Sequence, residues 1–190
     1  MNGLRNLLKK RVTCRNFTDQ ALSREKIAAL IKDAVWVPNG SNNQPWHFVV
    51  LTDKDRMKAY SDAAKKSWLE NLVAFPYMQQ YEEFLRDPEY NIFYNAPALV
   101  IIYGNRQAHW HVYDCSMVAC NLHLLAEEDN LGCCWIGFAH NIFDESAIKQ
   151  ELGVGEEYEL VAPIILGHPA ARSELAENPN KRKPFTINFA

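Results

Sequence analysis

The sequence predicts an α+β domain in which one sheet is flanked by helices. Short apolar runs at 48–51, 98–103, 133–138 and 160–166 read as strands, and segments with apolar residues at helical spacing lie between them. Strands and helices alternate unevenly rather than as a regular strand–helix repeat, which favours α+β over α/β. The 190 residues, 48% apolar and 23% charged, suffice for a sizeable core and have an ordinary globular composition.

In chain order, residues 4–10 read as a short helix ending near the basic turn Arg11 to Arg15. Ser23 is placed to cap a helix from Arg24, whose Ile27, Leu30, Ile31, Ala34 and Val35 form one apolar stripe. That helix stops before Pro38, because the residue preceding a proline is biased against helix. Phe48 to Leu51 is a strand, and Asp53 is placed to cap a helix through Lys58 and Ala63 towards Leu72. Residues 73–96 read as helix broken at Pro76 and Pro88. The continuous apolar run Ala98 to Tyr103 predicts a central strand. Asp114 to Asn130 reads as a long helix whose Met117, Val118, Ala119, Cys120, Leu122, Leu124 and Leu125 point several ways. In so small a chain such a helix suggests a subunit interface. Gly132 stops it, Cys133 to Phe138 follows as a strand, and Asp144 is placed to cap a short helix ending at Gly153. Leu160 to Leu166 is the last core strand, and the tail from His168 is polar and punctuated by proline. No repeat or linker divides residues 1–190, which read as one domain.

A net charge of −3 gives no reason to expect nucleic acid or an acidic membrane surface as partner. The apolar runs are far shorter than the ~20 residues of a spanning helix, and Met1 to Arg5 lacks a signal-peptide core. The expected address is the cytoplasm. Five cysteines, at 14, 115, 120, 133 and 134, include no Cys-x-x-Cys pair, so reduced core thiols are expected. Cys133 and Cys134, adjacent on a strand, should face opposite ways.

Chemistry concentrates in two places. Pro38-Asn39-Gly40-Ser41-Asn42-Asn43-Gln44-Pro45-Trp46 offers small residues for close backbone approach, amides for bonding and prolines for stiffness, as a loop holding something flat and polar would. Arg11-Val12-Thr13-Cys14-Arg15 places two guanidinium groups and a hydroxyl at alternate positions, which share one side of an extended backbone. Arginine forks match phosphate oxygens, although a solvated basic turn has the same composition. Lys181-Arg182-Lys183 is a further basic cluster, and no G-x-G-x-x-G or Walker loop exists. His109-Trp110-His111, with Asp114 and Cys115 nearby, would suit a metal only if a third ligand converged, so no metal site is assigned. His47, His123, His140 and His168 are isolated and read as structural.

Together these motifs resemble the FMN-dependent nitroreductase family. The resemblance rests on Arg11-x-Thr13-x-Arg15-x-Phe17, Pro38-x-x-x-Asn42-x-Gln44-Pro45-Trp46 leading into a strand, and Gly132-Cys133-Cys134-Trp135-Ile136-Gly137. Gly167-His168-Pro169 and Arg182-Lys183-Pro184 add a C-terminal signature, in family order. It implies a central, mixed, mainly antiparallel sheet in an intertwined homodimer, with FMN at each of two subunit interfaces and residues 168–190 embracing the partner. By the same resemblance Arg11, Val12, Thr13 and Arg15 would grip the phosphate and the flavin edge. Pro38, Asn39 and Gly40 would lie along the isoalloxazine, with Asn42 supporting the loop or bonding the cofactor. Backbone around Ile136 and Gly137 would face flavin N5, and Arg182 would reach the phosphate. The chain departs from the family pattern at Thr13, Asn39, His168 and Asn180, and residues 68–94 match none of its motifs.

The resemblance implies NADH or NADPH as electron donor in a ping-pong reaction, with a nitroaromatic, a quinone or a related small molecule as acceptor. No protein acid or base is required, so no catalytic residue is named. Reductive dehalogenation, enone reduction and flavin destruction on the same fold are alternatives, as is a non-catalytic flavin-binding protein. Residues 60–94 hold nine of the 22 aromatic residues, a concentration that suits either core packing or a substrate-selecting lid.

Overall fold

The computed structural model describes residues 3–171 and 183–189. Helix α1 (Gly3–Lys10) leads into irregular chain, and α2 (Arg24–Ala34) begins where expected, with the Ser23 hydroxyl accepting the Lys26 N–H. β1 (Trp46–Leu51) starts two residues before the apolar run, because Trp46 and His47 continue the ladder opposite Gly104 and Tyr103. The Asp53 carboxylate accepts the Arg56 N–H and caps α3 (Lys54–Glu70). The broken helix expected over 73–96 forms only in part: residues 71–74 are turn and 87–97 carry no helix. Pro76 opens a 3-10 stretch, Pro76–Tyr81, and α4 (Glu82–Arg86) ends at Asp87, just before Pro88.

β2 (Ala98–Asn105), α5 (His111–Glu128), β3 (Gly132–Trp135), α6 (His140–Phe143), α7 (Ser146–Glu151) and β4 (Tyr158–Gly167) complete the described elements. Among the described residues the strand pairings are antiparallel, in the order β1-β2-β4-β3, with no parallel pair of the kind a mixed sheet has.

Two expectations fail locally. β3 ends at Trp135 instead of Phe138. Ile136 still donates its N–H to the Pro163 carbonyl at 2.8 Å, but proline has no N–H to return, so the ladder stops and the chain turns. Asp144 does not cap α7, which has Glu145 at that position. Its carboxylate instead accepts the Leu160 N–H at 3.1 Å and lies 3.3 Å from the Arg106 guanidinium, partners that hold β4.

Both faces of the sheet are covered. Val100, Ile102, Ile164 and Leu166 pack against Ile27 and Leu30 of α2 and Val118 and Leu122 of α5. Leu99, Ile101, Tyr103 and Ile165 pack against Met57, Tyr60 and Ala64 of α3 and Phe143 of α6. That double cover is why residues 98–103 are continuously apolar, as expected of a central strand. Cys133 joins the first cluster and Cys134 the second, as the strand period requires. Cys115, Cys133 and Cys134 are buried free thiols; Cys120 is exposed and Cys14 half-buried, so the core-thiol expectation holds for three of five. Among the described residues no helix is long and apolar enough to cross a membrane.

Candidate functional site

The segment 11–17 lies flush along the outer edge of β3. Cys14 donates its N–H to the Cys133 carbonyl at 3.0 Å, and Phe17 bridges to Pro169. Glycines permit this approach: a Cβ on Gly132 would sit 2.5 Å from Cys14 Sγ, and one on Gly167 would sit 2.8 Å from the Phe17 ring. Cys14 is thus turned to the sheet, while Thr13 and Arg15 are exposed and Arg11 is half-buried. Among the described residues neither arginine has a carboxylate within ion-pair distance. Two cations and a hydroxyl left open on one ledge suit a phosphate or similar oxyanion.

Next to this ledge the chain leaves β3 at Ile136 and Gly137. Ile136 is buried, but Gly137 is exposed and a Cβ there would meet nothing within 4 Å. Gly137 opens a 3-10 turn, Gly137–Ala139, where the first backbone N–H lacks an intrahelical acceptor.

The 38–46 loop is held in a demanding conformation. Ser41, Asn42 and Gln44 take φ of 52°, 54° and 47°, the left-handed region that residues with a Cβ mostly avoid. Side-chain amides tie it together. Asn39 Oδ1 accepts the Gln44 N–H at 3.0 Å, Asn39 Nδ2 donates to the Val37 carbonyl, and Gln44 Nε2 donates to Asn42 Oδ1 at 3.1 Å. The Asn39 and Asn42 side chains therefore bond the loop itself. Buried Asp114, in the first turn of α5, accepts the Gly40 N–H on both carboxylate oxygens at 3.2 Å. A Cβ on Gly40 would lie 2.6 Å from Trp110, so only glycine lets the indole cover the loop.

Sequence reasoning missed Asp114 and Trp110 as supports of this loop. The signal was present, since an acid near the start of a buried helix needs a donor, but it was considered only as part of a metal cluster. His109 packs edge-on against Trp110, and His111 Nδ1 lies 2.8 Å from the Ala108 carbonyl.

Ledge and loop do not meet within one chain. The loop joins β1, whose Trp46 pairs with Gly104 on β2; the ledge follows β3, whose Cys133 pairs with Leu166, itself opposite Ala98. Six residues of β2 separate these levels, about 20 Å of strand, and β1 and β3 are the two opposite edges. Arg182, with Asn180 and Lys181, lies outside the described residues.

The aromatic segment divides into core and surface. Tyr60 and Phe93 are core, whereas Tyr77 and Phe84 are exposed. Trp68 donates Nε1–H to the Phe138 carbonyl at 2.8 Å and meets Phe75 edge-on, and Tyr81 meets Phe138 likewise. The segment is therefore fastened to the turn that carries Gly137.

An antiparallel sheet covered on both faces, with an exposed cationic ledge along one edge strand and an amide-braced loop beside the other, defines the class: an α+β protein. The chain belongs to the Nitroreductase family, whose model matches residues 8–168. It is 25% identical over 183 residues to an Archaeoglobus fulgidus protein named as a candidate NADH dehydrogenase/NAD(P)H nitroreductase, covering 94% of this chain and 92% of that one. It is 28% identical over 129 residues to an iodotyrosine deiodinase of Haliscomenobacter hydrossis, covering 61% of this chain and 58% of that one. In fold it is similar to a nitroreductase with bound FMN from Bacteroides fragilis, with a TM-score of 0.83, 22% identity and full coverage of both chains.

Proposed function

We propose that the protein is an NAD(P)H-dependent FMN oxidoreductase that reduces a small acceptor such as a nitroaromatic or a quinone. The observation that carries this reading is the ledge of Arg11, Thr13 and Arg15, with no carboxylate partner for either arginine among the described residues, beside the open backbone of Gly137. These groups fit FMN: cations and a hydroxyl for its phosphate and edge, and an N–H near the ring system. Bound there, FMN supplies two-electron redox chemistry, and the protein supplies position and electrostatics.

Because ledge and loop lie apart in one chain, the site is completed in a homodimer. The Arg11–Arg15 ledge and Ile136–Gly137 turn of one protomer face Pro38, Asn39 and Gly40 of its partner. Tyr113, Met117, Cys120 and Leu124 recur at helical spacing on α5 and are exposed or half-buried, an apolar face suited to that contact. Phe185, Ile187 and Phe189, at alternate positions and exposed, suit a tail that embraces the partner, and Arg182 would reach the phosphate from there. The iodotyrosine deiodinase relative favours reductive dehalogenation as a second reading.

Purified protein should be yellow, bleach with NADH or NADPH, and recover its colour on adding an acceptor. Screening nitroaromatics, quinones, halophenols and enones for re-oxidation separates the two reactions. A colourless protein that cannot be reconstituted with FMN would overturn the reading.

A further inference from the structure

Beside the ledge, Tyr94 and Asn95 hold φ of 52° and 53°. Such a conformation is unfavourable for tyrosine and persists only where surrounding structure over-determines it. Here it is over-determined. Buried Lys65 donates Nζ to the carbonyls of Asp87 at 2.9 Å and Tyr90 at 2.7 Å. The Ser61 hydroxyl accepts the Ile92 N–H at 3.0 Å, and the Asn91 side chain bonds both the Phe93 N–H and Asn95.

The strained turn carries the Tyr94 ring to Arg15, whose guanidinium carbon lies 5.9 Å from the ring centroid, within cation–π range. Behind it, the Tyr90 and Tyr94 hydroxyls are 3.1 Å apart and their rings meet edge-on. Burial, then the Tyr94 hydroxyl, pushes the Tyr90 phenol well above its ordinary range, so it stays neutral.

We infer that Tyr94, oriented by Tyr90, is a positioning residue that holds the Arg15 guanidinium ready at the flavin edge. The inference rests on the proposed reading that Arg15 faces FMN. An arginine held before the ligand arrives loses less freedom on binding. A cation fixed at the flavin edge also favours the reduced, more negative cofactor.

The test compares FMN dissociation constants and midpoint potentials of bound FMN in the wild type and in Tyr94→Phe, Tyr94→Asn, Arg15→Ala and Tyr94→Asn/Arg15→Ala. Asparagine tolerates left-handed φ, so it removes the ring and spares the turn. Tyr94→Phe keeps the ring but loses the Tyr90 hydroxyl contact, so it should move both values in the direction of Tyr94→Asn, by less. Tyr94→Asn should weaken FMN binding about two- to fivefold and move the potential negative, in the direction of Arg15→Ala, with no further loss in the double variant. Unchanged values for Tyr94→Asn alongside a clear Arg15→Ala effect, or fully additive losses, would overturn the inference alone. No effect of Arg15→Ala would instead remove the reading that Arg15 faces the flavin, and the inference with it. If Tyr94→Asn fails to fold, Tyr90→Phe, which frees the ring without deleting it, should move the potential the same way; no movement overturns the inference.

Discussion

Asp114 holds Gly40 by its backbone: both carboxylate oxygens lie 3.2 Å from the Gly40 nitrogen, and the acid is only 2% exposed. A buried N–H left without its acceptor destabilises by about 1–3 kcal/mol. Asp114→Leu should therefore lower unfolding free energy by about that amount, and Asp114→Asn by less, since an amide oxygen still accepts. Urea melts of the three proteins check this. Equal midpoints would show that the bond carries no stability.

Gly40→Ala tests the other side of the same contact. Its Cβ would meet Trp110 at 2.6 Å, too close for any side chain to tolerate without moving. Trp110 is half-exposed and can swing away, so the expected damage is to loop geometry more than to stability. FMN affinity should fall while the melting midpoint changes little, and Trp110→Ala in the same chain should restore affinity. If the double variant binds FMN no better than Gly40→Ala, the indole is not the obstacle.

Most elements were legible because local signals agreed with the fold. Ser23 and Asp53 cap the helices expected of them, since each hydroxyl or carboxylate meets an N–H three residues on. The prolines at 76 and 88 break the chain where their missing N–H demands it. What failed depended on distant partners. β3 ends early because its neighbour in space is Pro163, and Asp144 prefers Leu160 and Arg106 to the helix beside it. The Asp114–Gly40 bond joins residues 74 positions apart, so the sequence shows that a buried acid needs a donor but not which donor meets it. The Asn39 side chain bonds its own loop, at Gln44 and Val37, contacts that the run of small and amide residues does not specify.

His123, on the α1 side of the sheet near Arg11, should make stability depend on pH. Burial first, then the Arg11 charge, lowers its pKa from 6.5 to about 4, and its Nδ1 has no partner among the described residues. The native state thus keeps the ring neutral while the unfolded chain binds a proton. Stability should be constant above about pH 6.5, fall as pH drops towards 4, and level off below; the loss is at most about 3 kcal/mol. His123→Gln should flatten that limb in denaturation midpoints measured from pH 4 to 7. An unchanged slope would mean that another group titrates there.

Arg11→Ala should weaken FMN binding by the worth of a charge-assisted hydrogen bond, about 1.5–3 kcal/mol, or roughly ten- to 150-fold in dissociation constant. Because the pair is electrostatic and Arg11 is only half-buried, the wild-type affinity should fall with salt more steeply than that of the variant. Titration of apoprotein at two ionic strengths separates this from a folding defect. Unchanged affinity would take Arg11 out of the phosphate site.

Acceptor preference should respond to the aromatic segment unevenly. Trp68 is tied through Nε1 to the Phe138 carbonyl, one residue beyond Gly137, so its replacement reaches the turn proposed to face the ring system. Tyr77 and Phe84 are exposed, and Tyr77 touches Tyr81, which itself packs on Phe138. Trp68→Phe keeps most of the ring packing but frees that carbonyl, so it should lower kcat/KM for bulky aromatic acceptors while leaving FMN affinity within about twofold, the scale of a single modest contact. Tyr77→Ala should act in the same direction through Tyr81, whereas Phe84→Ala, whose ring meets Tyr90 on the far side, should act through Tyr94 and Arg15 on FMN affinity instead. Ratios of kcat/KM for a nitroaromatic, a quinone and a halophenol measure this directly. Identical ratios in all three variants would leave the segment with a packing role only.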